Sequence, residues 1–185
     1  MIKKMFFLFF LFVFLAACST NKHYLLQSKE IHSKARTVIV LPFVNLTSYP
    51  HAGRIASNLM TTELYARTPF QIMEQTQLLE KLKGSETDLD EALDKTVAVK
   101  IGKQVGVDTV IYGTVTEFRY KRGLDERPVV GINVRMLDVK SRQVLWAASR
   151  SKTGGHFWFG EDSVNELALN VCGSLVTEMV KNGWK

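Results

Sequence analysis

DTVIYGTVTEFRYK, residues 108–121, decides the fold of this chain. Apolar and aromatic residues alternate with polar ones along it, and a period of two is typical of a β-strand with one buried face. The alternation assigns Val110 and Phe118 to one side of the strand and Arg119 and Lys121 to the other. The stretch therefore predicts one long strand.

Two further strands follow it. Residues 123–128 predict a turn, and residues 138–143 predict a second one. Because the three strands are consecutive and separated by turns, they predict an antiparallel β-meander. The second strand is predicted to have an apolar face of Val130, Ile132, Val134 and Met136, and Val144, Trp146 and Ala148 begin the third strand.

Upstream of the meander, strands alternate with helices. A β-branched run ends at Pro42, which predicts a buried strand that stops pairing there. Gly106 predicts the end of a helix, and Ser163 with Glu166 predicts a capping box at the start of the last one. The predicted elements before the meander are strand 37–43, helix 50–67, strand 70–74, helix 76–83 and helix 89–105.

The order β-α-β-α-α-β-β-β-α predicts an α+β fold. We expect a single mixed or antiparallel sheet with helices packed mainly on one face.

The N-terminus has the anatomy of an export signal. Lys3 and Lys4 precede an apolar run over residues 5–15 that is too short for a comfortable membrane span, and small residues follow. We expect residues 1–17 to be a signal peptide, residues 18–36 a lipidated cysteine with a short tether, and residues 37–185 a single periplasmic α+β domain.

The end of this signal, Leu15-Ala-Ala-Cys18, resembles a bacterial lipobox. The resemblance implies that Cys18 receives acyl chains, including palmitate, and becomes the mature N-terminus. Several acyl chains hold a protein stably on a bilayer, whereas one holds it only marginally. Ser19 follows the cysteine, which by the same resemblance favours the outer membrane, with the domain facing the periplasm. An ordinary secretory signal with an incidental cysteine is the alternative.

The charge distribution argues against nucleic acid as a partner. The formal net charge is +6, but residues 37–185 contain 18 basic and 17 acidic side chains. A nearly neutral body gives no support to binding driven by counterion release from a polyanion.

The sequence offers no catalytic or metal-binding pattern. It has no glycine-rich phosphate loop, and none of its four histidines stands at ligand spacing from another histidine or a cysteine. We therefore predict that the protein is not an enzyme and has no cofactor or metal. With Cys18 lipidated, Cys172 cannot form an intramolecular disulfide. We expect a buried Cys172 thiol, with an intermolecular disulfide as the alternative.

An aromatic run, Phe157, Trp158 and Phe159, lies between Gly155 and Gly160. Large aromatic side chains suit a membrane interface or a subunit contact. The alternative is that the run extends the third strand of the meander, with Phe157 and Phe159 in the core.

Charged residues of both signs cluster around the first hairpin of the meander. They form either a solvated face or complementary contacts in a ring of subunits. The residues are Arg119, Lys121, Arg122, Asp125, Glu126, Arg127 and Arg135.

Several motifs resemble the periplasmic lipoproteins of the CsgG/TolB-N-like group. They are Val38-Ile-Val-Leu-Pro-Phe-Val-Asn-Leu46, Ala52-Gly53-Arg54, Gly106-Val-Asp-Thr-Val-Ile-Tyr-Gly113 and Val144-Leu-Trp-Ala147. Within that group, residues 115–131 look most like PelC-type lipoproteins of Pel exopolysaccharide export. That resemblance implies a homo-oligomeric ring beneath an outer-membrane export channel, with the polysaccharide itself a candidate contact.

Other members of the group provide the alternatives. An LpoB-like activator of a peptidoglycan synthase fits the fold, although an 18-residue tether makes reaching an inner-membrane enzyme difficult. A flagellar or envelope structural lipoprotein is a further alternative. A CsgG-type pore is excluded, because the sequence has no spare segments for membrane-spanning hairpins.

Overall fold

The predicted meander forms the centre of the sheet in the computed structural model. The structure describes residues 23–24, 36–84, 94–121, 127–157, 160–161 and 163–184. Its strands are β1 His23–Tyr24, β2 Thr37–Val40, β3 Val44–Asn45, β4 Gln71–Met73, β5 Thr109–Lys121, β6 Arg127–Asp138, β7 Val144–Thr153, β8 His156–Phe157 and β9 Gly160–Glu161. Its helices are α1 Ala52–Arg67, α2 Gln75–Leu82, α3 Lys95–Val105 and α4 Val164–Lys181.

Seven strands form one mixed sheet in the order β1-β7-β6-β5-β2-β4, and β3 adds to β5. Strand β2 pairs in parallel with both β4 and β5, whereas β5, β6 and β7 pair antiparallel. The α+β fold class and the meander are therefore confirmed.

Helices cover both faces of the sheet unequally. The longer helices α1 and α4 pack on one face over the larger apolar cluster, which includes Ile111, Phe118 and Trp146. The shorter helices α2 and α3 pack on the opposite face over a smaller cluster that includes Ile39 and Tyr112. The larger layer thus lies on one face, as the sequence predicts.

A β-bulge shifts the alternation of β5. The register with β6 slips between Val115 and Glu117, so that Thr116 is an extra residue. Val110 therefore faces α2 and α3, whereas Phe118 faces α1 and α4. The prediction that these two residues share one side of the strand is wrong, because one inserted residue reverses every side chain beyond it.

The Cys172 thiol is buried, as predicted. Its side chain is fully buried in α4, and its Sγ donates to the Ala56 carbonyl oxygen of α1 at 3.7 Å. Burial raises the pKa of this thiol to about 12, and the nearby negative charge of Glu63 acts in the same direction. The residue serves as a small apolar contact between α1 and α4.

None of the helices in these described ranges is both long enough and apolar enough to cross a bilayer.

Candidate interaction surface

One face of the meander is left uncovered where β5, β6 and β7 extend beyond α2 and α3. Residues paired across the three strands point to the same side, which gives this region a flat surface of polar side chains. We call it the open face; its exposed or half-buried members are Glu117, Arg119, Asn133, Arg135, Ser149 and Ser151, and Thr114 lies buried at its inner edge.

Hydrogen bonds across the strands order the open face. Asn133 Nδ2 donates to Thr114 Oγ1 at 3.2 Å, and Ser149 Oγ donates to Asn133 Oδ1. One row further along, Ser151 Oγ donates to Glu117 Oε2 at 2.9 Å. Because the side chains are already held by each other, little conformational entropy remains to be lost when a partner binds here.

Three of the predicted charged residues lie on the open-face side of the sheet. Arg119, Arg127 and Arg135 share it by register, but Arg135 stands eight positions along β6 from Arg127, about 26 Å in an extended strand. The register therefore places these three residues on one side of the sheet, but not in the single cluster around the hairpin that the sequence predicts. The charges form a line that runs from the hairpin towards the middle of the sheet.

Arg119 and Arg135 differ in their surroundings. The Arg119 Nη2 atom lies 3.5 Å from Glu117 Oε1, and the two side chains are 53% and 36% exposed, so the pair stabilises the fold little. Arg135 pairs with Tyr112 across the strands. Burial raises the pKa of the Tyr112 phenol, and the positive charge of Arg135 partly opposes that shift.

The first residue of the aromatic run, Phe157, lies in β8 and not in β7. Strand β7 ends at Thr153, and β8 pairs antiparallel with β9 in a separate two-stranded sheet. The prediction that the third strand extends as far as Phe157 is therefore wrong, whereas the placement of Phe157 and Phe159 in the core stays a prediction. The side chain of Phe157 lies outside the described residues, as do Trp158 and Phe159.

Several other predicted site residues also lie outside the described part of the chain. They are Cys18, Arg122, Asp125 and Glu126, together with the side chain of Lys121.

Part of the predicted tether pairs with the sheet, which sequence reasoning missed. His23 pairs antiparallel with Ala148, and Tyr24 with Ala147, so β1 covers part of the β7 edge. Residues 19–36 have no strong periodicity, and two residues of edge strand leave too short a signal to detect. Only four residues separate Cys18 from the first paired residue.

The end of the tether is fixed as well. Arg36 Nη1 donates to Thr109 Oγ1 at 2.9 Å and to Asp138 Oδ2 at 3.0 Å. The same guanidinium lies 5.8 Å from the ring centroid of Trp184. Sequence reasoning counted Arg36 as tether, since a lone arginine before a strand gives no sign of a buried ion pair.

The sequence of this chain matches a known protein family. The family model described as peptidoglycan-synthase activator LpoB matches residues 18–151, which is well over half of the chain. The chain belongs to the LpoB family.

Solved structures share the fold of this LpoB-family chain. A PelC dodecamer from Paraburkholderia phytofirmans matches with a TM-score of 0.61 and 21% identity, over 86% of this chain and 97% of that one. Lipoprotein GNA1162 from Neisseria meningitidis matches with a TM-score of 0.55 and 22% identity, over 79% and 96% of the two chains. The LpoB C-terminal domain from Escherichia coli matches with a TM-score of 0.50 and 14% identity, over 69% and 89%. No curated protein sequence matches the chain.

In the described ranges of this LpoB-family chain, no three His, Cys, Asp or Glu side chains are grouped so that they could hold a metal ion. The hydrogen-bonded rows of the open face form an ordered polar surface, and such a surface is suited to contact with another protein.

Proposed function

We propose that this protein is an outer-membrane lipoprotein, anchored through Cys18 and facing the periplasm, that acts by contact and not by catalysis. Its role is that of a ring-forming accessory subunit of an exopolysaccharide export apparatus. The pairing of β1 with β7 carries this proposal.

The pairing limits how far the domain can move from its anchor. From Cys18 to His23 an extended chain reaches about 17 Å at most, whereas the whole tether to Arg36 would reach about 60 Å. Because the domain is held this close to its anchor, the partners that it can reach most easily lie in the same membrane or directly beneath it. An export channel in the outer membrane meets that condition.

Assembly into a ring is supported by two further observations. The PelC structure with the same fold is a dodecamer, and the open face presents an ordered polar surface on which a neighbouring subunit can pack. We assign Arg119 and Arg135 to this contact, together with the hairpin charges Lys121, Arg122, Asp125, Glu126 and Arg127.

Native mass spectrometry of the lipidated protein in detergent tests the ring. We expect a particle of many copies, and a double variant, Arg119→Glu with Arg135→Glu, should shift it to smaller species. Lys140→Glu reverses an exposed charge in the turn between β6 and β7 and serves as the control. A wild-type monomer, or a double variant with an unchanged particle, contradicts this assignment.

We assign the aromatic run 157–159 to the membrane interface or to the subunit contact. The variant Trp158→Ala should weaken membrane association or assembly. If the variant floats with liposomes as wild type does and forms particles of the same size, the assignment of the aromatic run to either contact is contradicted.

Activation of a peptidoglycan synthase is the second candidate, and the match to the LpoB family favours it. An insertion of 30 Gly/Ser residues between residues 20 and 21 separates the two candidates. An export subunit should lose polymer export when it can leave the membrane surface. A synthase activator should keep or gain activation of the synthase, because a longer tether extends its reach.

A further inference from the structure

The parallel part of the sheet contains a topological switch point. Strand β2 lies between β4 and β5. The chain leaves β2 through α1 on one face, and it leaves β4 through α2 and α3 on the opposite face. Where neighbouring parallel strands send the chain to opposite faces, a crevice opens beyond their carboxyl ends, and ligands bind in such crevices.

A cavity of about 530 Å³ occupies this position. Its volume is within the range of small-molecule and peptide side-chain sites, about 300–1,000 Å³. Three parts of the fold line it: the end of β2 with the loop after it, the start of α1, and the first turns of α2. The main lining residues are Pro42, Phe43, His51, Arg54, Gln75 and Leu79.

The charged side chain in this lining is cationic. The Arg54 Nη2 atom lies 2.8 Å from His51 Nδ1. Because a guanidinium can only donate, His51 accepts at Nδ1, and its proton in the neutral ring is on Nε2. Among the residues that the structure describes, no Asp or Glu lines the cavity, and α1 has no acidic residue in its first turn. The polar groups of Arg54 and His51 therefore favour an anionic group.

The apolar part of the lining favours an aliphatic neighbour for that anion. Leu79 is 56% exposed at the rim, whereas Phe43 and Leu78 are buried. A sugar would gain most from an exposed aromatic face, and the lining of the cavity presents none. A peptide that carries a carboxylate next to an aliphatic side chain fits both parts.

The walls of the cavity are held in place. A Cβ atom at Gly53 would lie 1.8 Å from the Phe43 carbonyl oxygen, so the start of α1 sits directly against the segment that follows β2. The side chain of Asn45 holds the connecting loop, because it donates to the Tyr49 carbonyl oxygen at 2.8 Å and accepts from the Thr47 amide at 3.0 Å. A preformed site loses less entropy on binding.

We propose that this cavity is a docking pocket for an acidic peptide segment of a partner protein. The peptide carboxylate contacts Arg54 and the Nε2–H of His51, and an adjacent aliphatic side chain packs on Leu79. The inference holds for an export partner and for a synthase partner alike, so it is independent of the function proposed above.

A displayed library of random 12-residue peptides tests the pocket, with the lipidated protein in phospholipid nanodiscs as bait and empty nanodiscs for subtraction. We expect enrichment of Asp or Glu next to Leu, Val or Ile. A synthesised peptide from the enriched set should bind Arg54→Glu at least about tenfold more weakly than wild type. Lys140→Glu is the matched control, and Arg54→Lys should retain most of the affinity because it keeps the charge.

Three results would overturn the proposal. The library could yield no enriched peptide, or only peptides without acidic residues. Binding could survive Arg54→Glu in a variant whose thermal unfolding matches wild type. Inorganic phosphate or an acidic oligosaccharide such as oligogalacturonate could compete as well as the peptide does, which would make the pocket a general anion site.

Discussion

Arg36 and Asp138 form an ion pair of 3.0 Å across the middle of the sheet, with both side chains nearly buried. Arg36 directly precedes β2, and Asp138 ends β6, so the pair spans the intervening strand β5. Since Trp184 lies over the same guanidinium, the pair joins the start of β2 to the segment that follows α4. The ion pair therefore fixes the position at which the tether enters β2.

Asp138→Asn should lower the free energy of unfolding by about 3 kcal/mol, because it removes the carboxylate charge that lies 3.0 Å from a nearly buried guanidinium. Urea denaturation of the purified protein measures this change. Glu117→Gln removes the carboxylate charge that lies 3.5 Å from exposed Arg119, and it should cost less than about 1 kcal/mol. Equal losses in the two variants would show that the Arg36 pair is no stronger than a surface pair.

The same carboxylate makes stability depend on acid. Burial acts to raise the pKa of Asp138, but hydrogen bonds from Ser141 and Arg36 and the charge of Arg36 outweigh burial and hold this pKa below its ordinary value. The unfolded chain then binds the proton more tightly than the folded one, so protonation favours unfolding. The stabilisation is complete above about pH 5 and declines as the pH falls below roughly 4, through the folded pKa.

Comparing wild type with Asp138→Asn between pH 7 and pH 2.5 isolates this contribution. The difference in unfolding free energy should be constant down to about pH 5 and then shrink. A difference that stays constant to pH 2.5 would contradict the lowered pKa.

Cys172 should react with thiol reagents only after unfolding. With a pKa of about 12, its thiolate fraction at pH 8 is about a thousandfold smaller than that of a free cysteine, and burial between α1 and α4 blocks access as well. A Cys18→Ser variant leaves one thiol, and its labelling by a maleimide with and without 6 M guanidinium measures the protection. Fast labelling under native conditions would mean that α1 and α4 separate readily.

Periodic patterns made most of the fold predictable, and local irregularities set the limits. Ser163 caps α4 by accepting from the Glu166 amide at 3.1 Å, and Gly106 ends α3 in the left-handed region, both as the sequence indicates. The bulge at Thr116 could not be predicted, because the residues on both sides of it keep an unbroken alternation. The open face could not be assigned either, since whether polar residues face solvent or a helix depends on where α2 and α3 lie.

Contact residues were harder to predict than elements. Arg119, Arg127 and Arg135 are ordinary strand charges in the sequence, and only the register places them on one side of the sheet. The switch-point cavity gave no local signal, because Phe43, Arg54 and Leu79 come from three separate elements.

Two glycine variants test how closely α1 approaches β2. Gly53→Ala should lower the free energy of unfolding by about 3 kcal/mol, because its Cβ would lie 1.8 Å from a backbone oxygen, that of Phe43, and the strand end or the helix must move. Gly173→Ala is the matched control in α4. Its Cβ would meet Glu63 Oε2 at 2.8 Å, the end of a side chain that is ion-paired with Arg67 and lines an open cleft into which the pair can shift.

Alanine also favours a helix over glycine by about 0.5–1 kcal/mol, which offsets the crowding at Gly173 and leaves a net change within about 1 kcal/mol. Both variants sit in helices and add the same methyl group, so the difference between them reports what that methyl group meets. Urea denaturation of both proteins measures it. If Gly53→Ala were as stable as Gly173→Ala, then α1 would not rest on the Phe43 carbonyl, and the rigid wall that this contact gives to the switch-point cavity would be lost.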